Sequence, residues 1–270
     1  MPLIRFALNH MTAPSLAIED LFALATSLGI DAVEIRNDLA GNAIIDGTLP
    51  ETVAQAAEHH GLTILSINAL QRFNEWNATR AGEARELIDY AKACGARALV
   101  LVPKNDGTGR ADGERQENLR QSLAALKPML DAAGIMGLVE PLGFAICSLR
   151  SKAEAVEAID AVAGRSTFKL VHDTFHHHLA GEEQLFADLT GLVHISGVSD
   201  PAVSIAEMRD PHRVLVAADD RLNNAGQMRA LIGAGYAGPF SFEPFAATVH
   251  DLKDPAKALR ASMDYLSAEV

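Results

Sequence analysis

TILSINALQRFNEWNATRAGEARELIDYAKACGARALVLVP, residues 63–103, reads as a strand, a helix and a second strand. TILSINAL (63–70) and ALVLVP (98–103) are short apolar runs that end in polar turns. Between them ATRAGEARELIDYAKACGA is long enough for a full helix and closes on Gly95, the residue type that suits a left-handed helix cap. Two strands joined through a helix run parallel, because the crossover returns the chain to the same edge of the sheet.

The unit repeats outward in both directions. Further strands are expected at IRFALNH (4–10), AVEIR (32–36), GLVEPL (137–142), FKLVHD (168–173), LVHISGV (192–198) and FSFEPF (240–245). Helices are expected in SLAIEDLFALATSLGI with Ser15 as its N-cap, LPETVAQAAEHHGL, RQENLRQSLAALKPMLDAAGI, SKAEAVEAIDAVAG, the short EEQLFADLTG (182–191), NNAGQMRALIGAGYAG and PAKALRASMDYLSAE. Eight strands alternating with helices over 270 residues predict an α/β chain of one domain, residues 1–270, folded as a closed (β/α)8 TIM barrel. An open doubly wound sheet is the weaker alternative, since no Gly-x-Gly-x-x-Gly follows the first strand. The longest irregular stretch, about 199–222, is long for a strand-to-helix connection, which points to a functional loop.

Apolar residues make up 49% of the chain, ample for a barrel core. No run of about 18 apolar residues is present, and MPLIRFALNHM lacks a basic segment followed by an apolar one, so neither a membrane span nor a signal peptide is expected. Cys94 and Cys147 are far apart and outside any CxxC, which suits a reducing, cytoplasmic setting. A net charge of −12 disfavours nucleic acid but leaves room for a small polar ligand; a homo-oligomer is compatible with the sequence.

Side chains alternate in direction along a strand. In FKLVHD, Val171 and Asp173 share one face while His172 faces the other. Leu138 shares a face with Glu140, Leu192 with His194, and Ser241 with Glu243. The fifth to eighth strands therefore each place one metal-competent group at the C-terminal end: Glu140, Asp173, His194 and Glu243. Any one of them alone reads as a cap or a salt-bridge partner. Three carboxylates together would repel one another unless a cation joined them. Three oxygens and an imidazole suit Mn²⁺, Mg²⁺, Co²⁺ or Zn²⁺.

His176, three residues after Asp173 on the following loop, is within reach of the mouth as a hydroxyl ligand or proton shuttle. Weaker candidates surround it. Glu34 and Arg36 form an inward ion pair or touch ligand; Asn68 binds a hydroxyl or caps a loop; Lys104 meets a carbonyl or is solvated. One of Arg209, Arg213 and Arg221 covers the ligand, and Phe73 with Trp76 forms an apolar lid or packs in the core. His59 and His60 end a helix and carry no catalytic expectation.

These residues, together with AVEIR, SINALQRFN, LVPK, VEPLGFAICSLRSKAEAVEAI, LVHDTFHHHLAG and VHISGVSD, resemble the xylose-isomerase-like TIM-barrel superfamily, and within it the 2-keto-myo-inositol (inosose) isomerases. The resemblance implies one divalent metal ion, Mn²⁺ first, held by Glu140, Asp173, His194 and Glu243, with His176 and Arg213 at the substrate. It implies an isomerase acting on a keto-inositol or related ketose through an enediolate, with Glu140 and Glu243 moving the proton. A ketose 3-epimerase or inosose dehydratase on the same metal, or a sugar-binding barrel without turnover, are the rival readings. Two stretches depart from the family: Ser196 and Gly197 stand where it has acidic residues, and VLVAADDRLNN (214–224) replaces a Pro-Gly-x-Gly segment.

Overall fold

Eight parallel strands close on one another in chain order, each hydrogen-bonded to the next and β8 to β1. The computed structural model describes residues 4–42 and 44–270, so the first three residues of MPLIRFALNHM lie outside the described residues. The strands are β1 (Phe6–Asn9), β2 (Ala32–Arg36), β3 (Thr63–Gln71), β4 (Ala98–Val102), β5 (Met136–Val139), β6 (Phe168–Asp173), β7 (Thr190–Ile195) and β8 (Phe240–Phe242). The helices are α1 (Ile18–Ser27), α2 (Pro50–His60), α3 (Ala78–Cys94), α4 (Glu114–Ala133), α5 (Lys152–Ala161), α6 (Thr174–Ala180), α7 (Asn224–Gly233), α8 (Ala247–His250) and α9 (Pro255–Glu269). This is the closed barrel the sequence predicts, with helices around a parallel sheet.

The alternation along each strand sorts side chains into two cores. Ala69, Ala98, Val100, Leu138, Val171 and Leu192 fill the barrel interior. Leu99, Leu101, Val139, Leu170, Val193 and Ile195 point outward and pack beneath the helices. The interior filling stops where the polar strand ends begin, so the barrel is a plug below and a cup above.

Three expectations about elements need correction. EEQLFADLTG forms no helix: its Glu182 reaches back to the start of α5, where it accepts from Ser151 Oγ and the Lys152 and Ala153 amides. The helix of this unit is instead the histidine run, which begins at Thr174 because Asp173 caps it, accepting from the Phe175 and His176 amides at 2.8 and 3.0 Å. His176 thus sits in the first turn of a helix, not on a loop. The helix ends at Gly181, whose φ of 66° is the left-handed conformation glycine adopts freely. At the first helix, Ala17 is the N-cap rather than Ser15, and it offers no side-chain bond.

Candidate metal centre at the barrel mouth

Asp173 and His194 are register partners on neighbouring strands, so their side chains leave the sheet side by side. Glu140 and Glu243 lie one residue beyond β5 and just past β8, yet their amides continue the ladder, bonding the carbonyls of Leu101 and Ile195 at 3.1 and 3.0 Å. Strand alternation therefore holds through both residues and turns their carboxylates inward. All four are buried, and one ligand atom from each lies within 4.8 Å of the others. His194 Nδ1 is 3.1 Å from Glu140 Oε1, 3.2 Å from Glu243 Oε2 and 3.9 Å from Asp173 Oδ2.

This donor set fits a divalent cation. Metal–ligand bonds of about 2.0–2.3 Å place the donor atoms roughly 3–4.5 Å apart, close to the separations observed. Charge points the same way. The mouth buries the carboxylates of Glu34, Glu140, Asp173 and Glu243 against only the guanidinium groups of Arg36 and Arg213, a negative surplus that two positive charges would cancel. Without such a charge the imidazole takes up the imbalance: burial opposes protonation of His194, but Glu243, Glu34 and Glu140 raise its pKa well above the ordinary histidine value. Burial pushes the Glu140 carboxyl up, partly offset by His194. Burial acts in the same sense on Glu243, but His194, Arg213 and Arg36 hold that carboxyl well below the usual carboxylate range.

A second layer of bonds aims the ligands. The Glu34 carboxylate takes His194 Nε2 at 3.1 Å, which leaves Nδ1 to face the other three ligands. Glu34 is itself fixed by Ser66 Oγ at 2.6 Å, Asn68 Nδ2 at 2.8 Å and Ser241 Oγ at 2.5 Å. Glu34 and Arg36, expected either to pair or to touch ligand, do not pair with each other: Arg36 binds Asp38 and Glu243 and stands in the cavity wall. Asn9, which the sequence reading did not single out, donates to Glu243 Oε1 at 3.2 Å. Its signal was a polar residue in step with Ala7 at the end of the first strand.

Arg213 is the deepest of the three loop arginines and 1% exposed. Its Nη2 donates to Asp173 Oδ2 at 2.6 Å and Glu243 Oε2 at 3.0 Å, and its Nε donates to Ser196 Oγ at 2.9 Å. The rings of Phe245 and Phe175 lie 4.5 and 5.1 Å from its guanidinium carbon. Arg221 braces its own loop through the carbonyls of Asp200 and Val203. The departure at Ser196 thus gives Arg213 a hydroxyl partner.

Two of the ligands, Glu140 and Glu243, line a cavity of about 390 Å³, with His176, Arg213, Asn68 and Phe144 also in its wall. His176 packs edge-on against Phe144 at 5.1 Å, and its Nδ1 is buried without a protein partner among the described residues, an atom left for a ligand or water. Lys104 is elsewhere: its ammonium is bound to Glu75 at 2.5 Å beside a separate polar cavity, so it does not line the mouth. Phe73 is fully buried and Trp76 packs against the outer core, so neither forms a lid. His172 faces outward as predicted, between Lys152 Nζ and Gln227 Oε1, each at 2.9 Å.

The family model for the xylose isomerase-like TIM barrel matches residues 22–269, and the chain belongs to that family. Among solved structures, a xylose isomerase domain containing protein from Salmonella typhimurium LT2 superposes with a TM-score of 0.87 at 33% identity, covering 98% of this chain and 95% of that one. An IolI protein solved with a bound zinc atom gives 0.88 at 21% identity, covering 99% of each chain. D-Psicose 3-epimerase from Clostridium cellulolyticum H10, solved with D-tagatose, gives 0.74 at 16% identity, covering 98% of this chain and 99% of that one. No curated protein matches the sequence. No helix among the described residues is long and apolar enough to cross a membrane.

Proposed function

We propose that the protein is a divalent-metal-dependent isomerase of a keto-inositol or a related ketose. The observation that carries this reading is the convergence of Glu140, Asp173, His194 and Glu243, from four consecutive strands, with Glu140 and Glu243 also in the wall of the mouth cavity. Mn²⁺ is the ion we favour for an oxygen-rich set with one imidazole, and Mg²⁺, Co²⁺ and Zn²⁺ suit the same donors. When bound, the cation would supply a Lewis acid for the carbonyl and neighbouring hydroxyl oxygens of the substrate.

The chain's own residues do the rest. Glu140 and Glu243 both line the cavity, where a carboxylate can take a proton from a carbon beside the carbonyl and return one to its neighbour. His176 and Arg213 are the substrate-binding groups in the same cavity wall, with Asn68 beside Glu34. Leu142, Phe144 and Phe245 add apolar surface to the cavity wall. We withdraw Lys104 from the substrate-binding set, since Glu75 holds it away from the cavity.

The zinc in the IolI structure and the D-tagatose in the epimerase structure support a metal and a sugar as ligands of this fold. The likeness to the epimerase also favours 3-epimerisation at the same carboxylates as the second reading. Buried, unpaired Cys94 and Cys147 support a reducing compartment, and the net charge of −12 supports a small polar ligand over nucleic acid.

Incubation of the metal-loaded protein with inosose and a ketose panel in D₂O, followed by NMR, tests the proposal. Isomerisation moves the ketone and exchanges one C–H for C–D. Inversion of one centre would instead make the protein an epimerase, and an ultraviolet-absorbing enone would make it a dehydratase. Stoichiometric metal without deuterium entering any substrate would leave a sugar-binding barrel.

A further inference from the structure

Beside the mouth cavity lies a second one of about 480 Å³, and Asn105, Phe144 and Asp210 stand in the wall of both. The second cavity has a different chemistry. Phe144, Ile146, Leu179, Ile205 and Met208 line it, drawn from the loop after β5, from α6 and from the long loop after β7. Ile146 and Ile205 are 49% and 50% exposed, and both belong to this one cavity. An apolar surface left open at this place asks for an occupant.

The hollow is built rather than incidental. Leu142, Phe144, Cys147, Phe175, Leu179 and Met208 form a separate buried cluster beneath it. Arg150 ties its near wall by donating to the carbonyls of Gly143 and Leu179, each at 2.7 Å. Arg209 ties the far wall through the carbonyls of Ala206 and Met208 and lies 6.0 Å from the centre of the Phe144 ring. Both guanidinium groups are thus held by carbonyls of the wall itself, so each helps to shape the hollow.

A bare hexose or cyclitol has only small C–H patches to offer such a wall and leaves most of it uncovered. We propose that the substrate is a keto-polyol carrying one bulky, uncharged apolar substituent, an aryl or branched alkyl ether or glycoside. The polar ring sits at the metal centre, and the substituent passes Phe144 into the apolar annex. The inference rests on reading the mouth as a ketose site and adds the substrate class. The two cavities adjoin at Asn105, Phe144 and Asp210, and this adjacency is what commits the annex to a part of the substrate rather than to a second protein.

Calorimetric titration of the manganese-loaded protein with every positional mono-O-benzyl ether of myo-inositol, each beside its O-methyl counterpart, tests this without turnover. At least one benzyl ether should bind about tenfold or more tightly than its methyl partner, since an aromatic ring leaves water for an apolar wall. Ile146→Asp and Ile205→Asp, both at exposed positions, should each abolish that preference while the circular dichroism spectrum is kept. The inference is overturned if no benzyl isomer gains more than about twofold, or if the preference survives both substitutions. It is overturned too if sedimentation shows a dimer that Ile205→Asp dissociates, since the annex would then be a subunit interface. Deuterium exchange into free inosose judges the isomerase reading separately: exchange without benzyl preference removes the annex alone, and preference without exchange removes the isomerase alone.

Discussion

His194 shows how one residue can be set by partners the sequence keeps far apart. Its Nε2 is held by Glu34 and its Nδ1 faces Glu140 and Glu243, contacts that span the barrel interior. Removing the charge of Glu34 leaves the ring without its orienting carboxylate. Glu34→Gln should therefore weaken metal binding about 10- to 100-fold, read by competition with a chelating dye, with the fold intact. Glu243→Gln should lower kcat by about a thousandfold or more, because it removes both a ligand and a proton acceptor. Near-native turnover by that variant would show that Glu243 has neither role. The inward set at the strand ends was legible because strand alternation is local: Leu138 predicts Glu140, and Val171 predicts Asp173. The bonds of Glu34 to His194 and of Asn9 to Glu243 were not, since closure of the barrel decides which strand ends meet, and the register shifts at Val33/Glu34 and Leu170/Val171 are invisible in composition.

Elements carry the next level of control, and Asp173 joins two of them. One carboxylate oxygen caps α6 while the other meets Arg213. Ligand and helix start are thus coupled, and this cap is why the histidine run became a helix where the sequence suggested a loop. Gly143 packs against α6 so closely that an added Cβ would lie 2.2 Å from the His176 carbonyl oxygen and 2.6 Å from Leu179 Cβ. Gly143→Ala should destabilise the fold by about 1–3 kcal/mol in urea denaturation, because neither the backbone nor the Leu179 stem can yield. It should also raise KM, since His176 must move with its helix. Lys152 at the start of α5 reports on pH. Burial lowers its pKa to about 8, and its ammonium meets only His172 and the Leu185 carbonyl at short range. A lysine with a folded pKa below its unfolded value destabilises the fold where it is charged, so the stability relative to Lys152→Met should rise by about 3 kcal/mol between pH 8 and roughly 10.5. Parallel wild-type and variant melts across that window check the sign; a flat difference would refute it.

For the whole molecule, the strand and helix repeat determines the barrel, and the barrel brings four consecutive strand ends to one spot. The divergent loop after β7 completes the cup without adding a ligand. Asp220 braces it, accepting from the amides of Val198, Leu222 and Asn224, while the backbone carbonyl of Arg213 accepts from Phe245 and Ala246 beyond β8. A cation bound only by the folded cup would stabilise it by mass action, by about 2.7 kcal/mol at a free concentration a hundred times its Kd. Chelation should accordingly lower the melting temperature, and added Mn²⁺ should restore it. The most direct measurement is metal content: elemental analysis after equilibrium dialysis against Mn²⁺, for wild type beside Asp173→Asn and His194→Ala. About one bound ion per chain is expected in the wild type and far less in both folded variants. A wild-type protein that holds no ion, or variants that keep theirs in full, would contradict it.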